Sequence, residues 1–225
     1  MKLIAIDTAA NLCAACVFDA RAAIVTGESV RDIGKGHAEQ LMDVIDAAMA
    51  AAGIAYGDLD RIAVTVGPGS FTGVRVGVSA ARGLALALSV PAVGVNTLEA
   101  LAAGERTLRP DKDVLAVIDA GRGTVYAALY DASGLEIMAP HLTEMEAIAG
   151  RVTPDIVISG SAATAVAAAC NAPGLAGSVT AATGAIGDIA RIAASRPPVG
   201  KPVPLYLRAP DAKPQGGFVL PRKAG

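Results

Sequence analysis

Residues 3–19 read LIAIDTAANLCAACVFD, and residues 115–131 read LAVIDAGRGTVYAALYD. The two stretches align without a gap at an offset of 112, so that Leu3 meets Leu115, Ile6 meets Ile118, Asp7 meets Asp119 and Asp19 meets Asp131. Each is an apolar run closed by an aspartate, then a short polar loop, then a second apolar run, which is the pattern of a β-hairpin. A unit that recurs at half the length of a 225-residue chain reads as a duplication. The expectation is two similar lobes, each opening with the same hairpin.

Outward from the first hairpin, residues 37–52 place Leu41, Val44, Ile45, Ala48 and Met49 on one face of a helix, with Gly53 as its stop. RIAVTV (61–66) reads as a buried strand, GPGSFTG (67–73) as a loop, the stretch from Val74 as a second helix, and PAVGV, ending at Val95, as a strand. The second half repeats the scheme more thinly. Strands VLAVID and TVYAALYD precede a helix near 143–150, strand DIVISG, and helices SAATAVAAAC and GDIARIAAS. Residues 197–204, PPVGKPVP, read as an extended connector, and the tail from Asp211 as loose. Alternating strands and helices define an α/β protein with partly parallel sheets. The expected lobes are 1–105, carrying the partner helices, and 106–225, smaller and ending in the tail.

Hydrophobic residues make up 53% of the chain and charged residues 18%, which is a globular composition. Aromatics are 3% and Trp is absent, so the core is built from Ala, Val, Leu and Ile. A net charge of −2 lacks the basic balance of a protein that grips RNA alone. Three cysteines, Cys13, Cys16 and Cys170, are too few and too odd for a disulfide framework, and point to a reducing, cytoplasmic setting. Cys13 and Cys16 form a C-x-x-C, but residues three apart on a strand face opposite sides. His37 and His141 lack ligand spacing, so no metal site is expected. Asp7 interrupts any signal-peptide core, and no uninterrupted run of 18 apolar residues suggests a membrane span.

GPGSFTG allows two readings: a tight turn with Thr72 near the helix start, or an anion cradle of backbone N–H groups. It has neither the P-loop ending nor the dinucleotide spacing. The helix after it is apolar nearly all round, with Arg75 and Arg82 its only charges. Gly73, Gly77 and Ala81 recur every four residues as a smooth ridge, with Val74 and Val78 beside it. Such a helix needs cover on both sides. An interface is expected there, and a bulky residue at Gly77 is expected to weaken association without unfolding the lobe.

Several motifs together, IDT, GHAEQL, VGPGSFTGVRVGVSAARGLA, VGVNTLEAL, IDAGRGTVYAALYD and PLYLRAP, resemble the bacterial TsaB family, in this order and over most of the chain. The resemblance implies a duplicated, two-lobed actin-like ATPase (ribonuclease H-like) fold. It also implies an accessory role in making threonylcarbamoyladenosine in tRNA. The implied partners are TsaD in a heterodimer, the ATPase TsaE, a second copy in a homodimer, and tRNA indirectly through the complex. The implied interface residues are His37, Leu41, Val74, Arg75, Gly77, Val78, Ala81 and Arg82. Where the related catalytic TsaD family has Val-Asn-His-x-x-x-His, this chain reads Val95, Asn96, Thr97 to Leu101, so Thr97 and Leu101 replace the two metal-binding histidines. Leu offers no lone pair to a metal. By the same resemblance a vestigial nucleotide site comprises Asp7, Gly67, Gly69, Asp119, Arg122, Gly160 and Ser161. Ala9 and Ala10 stand in the first phosphate loop, so ATP or ADP is expected to bind weakly at most. The competing readings are a stand-alone actin-like ATPase or phosphotransferase, a peptidase, and a homodimeric module without a tRNA role.

Overall fold

The computed structural model describes residues 1–208, so the end of PLYLRAP and the tail from Asp211 lie outside the described residues. Strands β1 (Lys2–Asp7), β2 (Leu12–Asp19), β3 (Ile24–Asp32), β4 (Arg61–Thr65) and β5 (Ala92–Val95) form one sheet in the order β3-β2-β1-β4-β5. Strands β6 (Asp113–Gly121), β7 (Thr124–Tyr130), β8 (Glu136–Glu144) and β9 (Ile156–Ser159) form a second, β8-β7-β6-β9. In both, three antiparallel strands continue into parallel pairing through the first of them, β1 with β4 and β6 with β9. The duplication read from the repeated hairpin is therefore present strand for strand, with β5 the extra strand of the first half.

The gap-free alignment of the repeat is wrong by one residue along its first strand. Leu3 pairs with Phe18, whereas Leu115 pairs with Leu129. A register irregularity between Asp119 and Gly121 absorbs the difference. Because side chains alternate with a period of two, a one-residue slip turns a strand over. Ile4 and Ile6 accordingly face the outer helices of their sheet, while Ala116 and Ile118 face inward. On β2 and β7 the alignment holds: Cys13, Ala15 and Val17, like Val125, Ala127 and Leu129, face outward. Cys16 joins the inner cluster and Cys13 the outer one, as the strand reading requires.

Helices α1 (His37–Ala52) and α2 (Phe71–Leu88) cover the outer face of the first sheet. Gly53 closes α1 at φ 65°, and α2 begins ahead of the expected Val74 because the Ser70 hydroxyl accepts the Gly73 N–H at 3.2 Å. Among the described residues α2 is long and apolar enough to cross a membrane by composition alone. Here its buried stripe packs on β1 and β4. Helices α4 (Met145–Ala149) and α5 (Ala163–Ala169) cover the outer face of the second sheet.

The two inner helices are exchanged. Helix α3 (Thr97–Leu108) follows β5 yet packs its Leu98, Leu101 and Ala102 on the second sheet. Helix α6 (Ile186–Ser195) ends the second half yet packs Ile186, Ile189, Ala190 and Ala193 on Leu3, Ala5, Phe18 and Val93 of the first. Arg61 at the start of β4 secures α6: its Nη1 donates to Ala193 O at 2.6 Å and Arg196 O at 2.7 Å, satisfying carbonyls that a helix end leaves free. Glu105 of α3 is fully buried and accepts the Ser178 and Val179 N–H groups at 3.2 and 2.9 Å. The expected boundary at 105/106 falls inside α3, and the packing crosses it in both directions.

Candidate partner-binding site and inter-lobe cleft

The small-residue ridge of α2 faces its own lobe. A Cβ on Gly73 would strike the Thr8 carbonyl oxygen, one on Gly77 would lie 2.5 Å from Thr8 Oγ1, and one on Gly69 would strike the Ala9 carbonyl oxygen. Thr8 Oγ1 donates to Gly73 O at 2.7 Å, and Ser70 N donates to Ala9 O at 2.7 Å. GPGSFTG is thus a turn that packs backbone against backbone on the β1–β2 loop, which is why it needs glycine. The expectation that a bulky residue at Gly77 would spare the lobe is corrected: it would break this contact.

Of the expected interface residues, His37, Leu41, Val74, Gly77, Val78 and Ala81 are buried in the first lobe itself. His37 Nε2 lies 3.2 Å from Leu12 O and anchors the start of α1. Arg75 and Arg82 are exposed. The open face of the two helices uses the complementary residues. A groove of about 420 Å³ between α1 and α2 is lined by Ala38, Met42, Phe71, Arg75, Val76 and Ala80 among others. Phe71 is 60% exposed, the Arg75 guanidinium stands 5.1 Å from the Phe71 ring centre, and the Tyr206 ring packs beside it at 5.4 Å. Phe71 and Tyr206 are the two strongly exposed aromatics among the described residues; Phe71 lines the groove and Tyr206 packs against Phe71. Helical spacing from Arg75 back to Phe71 and on to Ser79 was the available signal for this face.

The two repeat aspartates occupy opposite surroundings. Asp7 is 1% exposed. Its Oδ1 accepts Thr65 Oγ1 at 2.5 Å and the Ala9 N–H at 2.9 Å, and its Oδ2 accepts Thr183 Oγ1 at 2.6 Å. Burial pushes its carboxyl above the ordinary range, opposed by those three hydrogen bonds and by the nearby His37. Asp119 is exposed; its Oδ1 accepts the Gly121 N–H at 2.8 Å and its own N–H donates to Ser161 Oγ at 3.1 Å. Arg122 is exposed at φ 57°. Gly160 is buried at φ 107°, where a Cβ would strike the Val117 carbonyl. Gly67 lies under Leu205, whose N–H donates to Val66 O at 2.7 Å. Farther along the same segment Arg208 Nη2 donates to Ala120 O at 2.9 Å and Thr124 Oγ1 at 3.0 Å. Asp119 and Ser161 therefore meet where the end of β6 faces the turn after β9, with Arg122 on the β6–β7 loop and Gly160 in that turn, whereas Asp7, Gly67 and Gly69 are packed away. A metal's water shell does not fit at Asp7, whose oxygens are taken by the chain's own donors.

Thr97 and Leu101 are both fully buried on α3. Thr97 N donates to Gly67 O at 2.9 Å, its hydroxyl has no partner among the described residues, and Leu101 belongs to the core under the second sheet. Among the described residues no three His, Cys, Asp or Glu side chains gather as a metal would require.

The two sheets, their strand orders and their exchanged inner helices define a two-lobed protein of actin-like (ribonuclease H-like) fold. Residues 31–196 match the family model described as "TsaD: tRNA N6-adenosine threonylcarbamoyltransferase". The chain is 35% identical over 212 residues to an uncharacterised protein of Mycobacterium tuberculosis, covering 94% of each. It is 34% identical over 159 residues to the tRNA threonylcarbamoyladenosine biosynthesis protein TsaB of Escherichia coli, covering 70% of this chain and 64% of that one. Among solved structures, a Pseudomonas aeruginosa protein described as similar to peptidase YeaZ superposes with a TM-score of 0.74 at 24% identity, over 92% of this chain and 99% of that one. YeaZ of Pseudomonas aeruginosa gives 0.69 at 25% identity, over 86% and 91%. The chain belongs to the TsaD family, within its TsaB branch.

Proposed function

We propose that this chain acts in tRNA threonylcarbamoyladenosine biosynthesis as a non-catalytic subunit that supports TsaD, with TsaE joining the assembly and tRNA held mainly by the partners. The observation that carries the reading is the α1–α2 groove. It presents Phe71, Arg75 and Met42 together, with Tyr206 packed against Phe71, the residue types that concentrate binding energy in protein interfaces. Exposed Glu39 and Asp43 on α1 and exposed Arg75 and Arg82 on α2 give the two helices opposite charges, a combination that also suits a twofold contact between two copies. The non-catalytic part of the reading rests on Leu101, which gives a metal nothing to bind, on Thr97, a poor ligand, and on Asp7, which is buried with both oxygens engaged by the chain's own donors. The reading assigns ATP or ADP at most a weak association, at the loop of Asp119 and Arg122, and places the protein in the cytoplasm. A stand-alone ATPase would need both aspartates free, and only Asp119 is.

The test is a leave-one-out reconstitution of tRNA threonylcarbamoylation with TsaD, TsaE, threonylcarbamoyl-adenylate, ATP and tRNA. Activity is expected only when this chain and TsaD are both present; modification by this chain without TsaD would overturn the reading. Phe71→Ala is expected to weaken the pairing with TsaD at least tenfold, about 1.4 kcal/mol, while leaving the chain folded.

A further inference from the structure

At the seam between the exchanged helices lies a cavity of about 370 Å³, walled by Glu99, Ala103 and Arg106 of α3, Ile192 and Ser195 of α6 with Arg196 just beyond it, and Ser133 and Gly134 of the β7–β8 turn. Arg106 is half-buried there and makes neither a hydrogen bond nor an ion pair among the described residues. The turn is shaped around it. Gly134 sits at φ 93°, and the space a side chain would fill at that position is taken by the Arg106 guanidinium. Arg196 stands on the facing wall, one amino group on Glu99 Oε1 at 2.5 Å and the other on Gly94 O at 2.8 Å. Glu99 is thereby neutralised, and the charge of Arg106 is left over. Ser133 Oγ is turned to Asp131 at 2.6 Å and Ser195 Oγ to Ile192 O at 3.0 Å; either hydroxyl can rotate toward the cavity. Ala103, Ile192 and Pro197 supply an apolar floor beneath this polar rim.

We infer that this cavity is a binding site for a small phosphate-class oxyanion, held by the free fork of Arg106 and seated against the Gly134 turn. A guanidinium presents paired N–H donors that match phosphate oxygens bidentately. The volume suits a phosphoryl group carried on a small body, and the apolar floor suits that body. Because its walls come from both halves, a bound anion ties α3, α6 and the β7–β8 turn together.

The experiment follows thermal unfolding and ¹H–¹⁵N NMR spectra of the whole chain as inorganic phosphate, pyrophosphate or AMP replaces chloride at constant ionic strength. A saturable rise in Tm is expected for the wild type, with shifts centred on the Gly134 amide. Arg106→Gln is expected to weaken binding at least tenfold, and Arg106→Lys to restore part of it. The tightest of the three probes distinguishes a free oxyanion from a phosphoryl group on a larger body. An equal response of wild type and Arg106→Gln, or a shift that grows without saturating, overturns the inference.

Discussion

The repeated hairpin holds two pairs of matching aspartates, and the pairs met different fates. Asp19 and Asp131 close the second strand of each hairpin and remain equivalent. Each is partly exposed, and each carboxylate accepts hydrogen bonds from the turn that follows: Arg21 N–H at 2.8 Å in one case, Leu135 N–H at 2.8 Å and Ser133 Oγ at 2.6 Å in the other. Those bonds hold both carboxyls below the ordinary range. Asp7 and Asp119 close the first strand and are not equivalent. One is buried beneath Thr65 and Thr183, the other open to solvent beside Ser161. The strand that kept its register kept its chemistry, and the strand that slipped by one residue sent its aspartate to the other face. A family likeness between two loops therefore says little about their function until the face each side chain points to is known.

The widest separation is expected from alanine substitution. Asp7→Ala leaves two buried hydroxyls without an acceptor and is expected to cost about 2–3 kcal/mol in chemical denaturation, while Asp119→Ala stays within ~0.5 kcal/mol. Equal losses would break the comparison. Next is Gly73→Ala, which drives a methyl group into the Thr8 carbonyl and is expected to cost about 1–3 kcal/mol as overpacking; no loss would mean the β1–β2 loop is free to move. Thr183→Val removes one hydrogen bond to Asp7 and is expected to cost about 1–2 kcal/mol, against a change too small to resolve for Ser161→Ala. The subtlest difference lies in pH. A carboxyl raised in the folded state binds its proton more tightly folded than unfolded, so its contribution is present below its ordinary value of 3.8 and is lost as pH rises through the folded value. Asp19 and Asp131, both lowered, act in the opposite sense, adding stability above 3.8 that disappears on acidification. Subtracting the denaturation profile of Asp7→Asn from that of the wild type is expected to leave a difference that falls with rising pH; a difference that rises would contradict the burial of Asp7 as the dominant influence.

Much of this was legible in the chain. The apolar faces of residues 37–52 and of the strands at 61–66 and 156–159 read directly as α1, β4 and β9, and the repeat announced the duplicated sheets. Other elements were hidden for physical reasons. β3 is an edge strand in which Gly27 alone is buried, so its sequence, IVTGESVRD, lacks the alternation of a half-buried strand. β8 is interrupted by Pro140 and carries irregular pairing. Helix α3 had a signal that went unused, since Asn96 accepts the Leu98 N–H at 2.8 Å as a capping residue. At the candidate interface, small residues looked like a surface for a neighbour because closeness to a partner and closeness to one's own backbone demand the same amino acids. Only the fold tells which surface Gly73 and Gly77 approach. The slip of β6 was invisible because the ungapped alignment matches apolar residues to apolar residues and Asp7 to Asp119, whereas in the register of the sheets Ile118 takes the place of Asp7.

The exchange of α3 and α6 also sets a timetable for biosynthesis. A chain emerging from the ribosome presents β1 and β2 well before α6, with Leu3, Ala5, Cys16 and Phe18 on the face that α6 will cover. That cover, Ile186–Ser195, is among the last described segments to be made. For most of translation the first sheet has its outer helices but not its inner one, a state in which exposed apolar surface favours aggregation. The inner face of the first sheet stays open until α6 has followed, so β1 and β2 wait longer for that cover than β4 and β5 do.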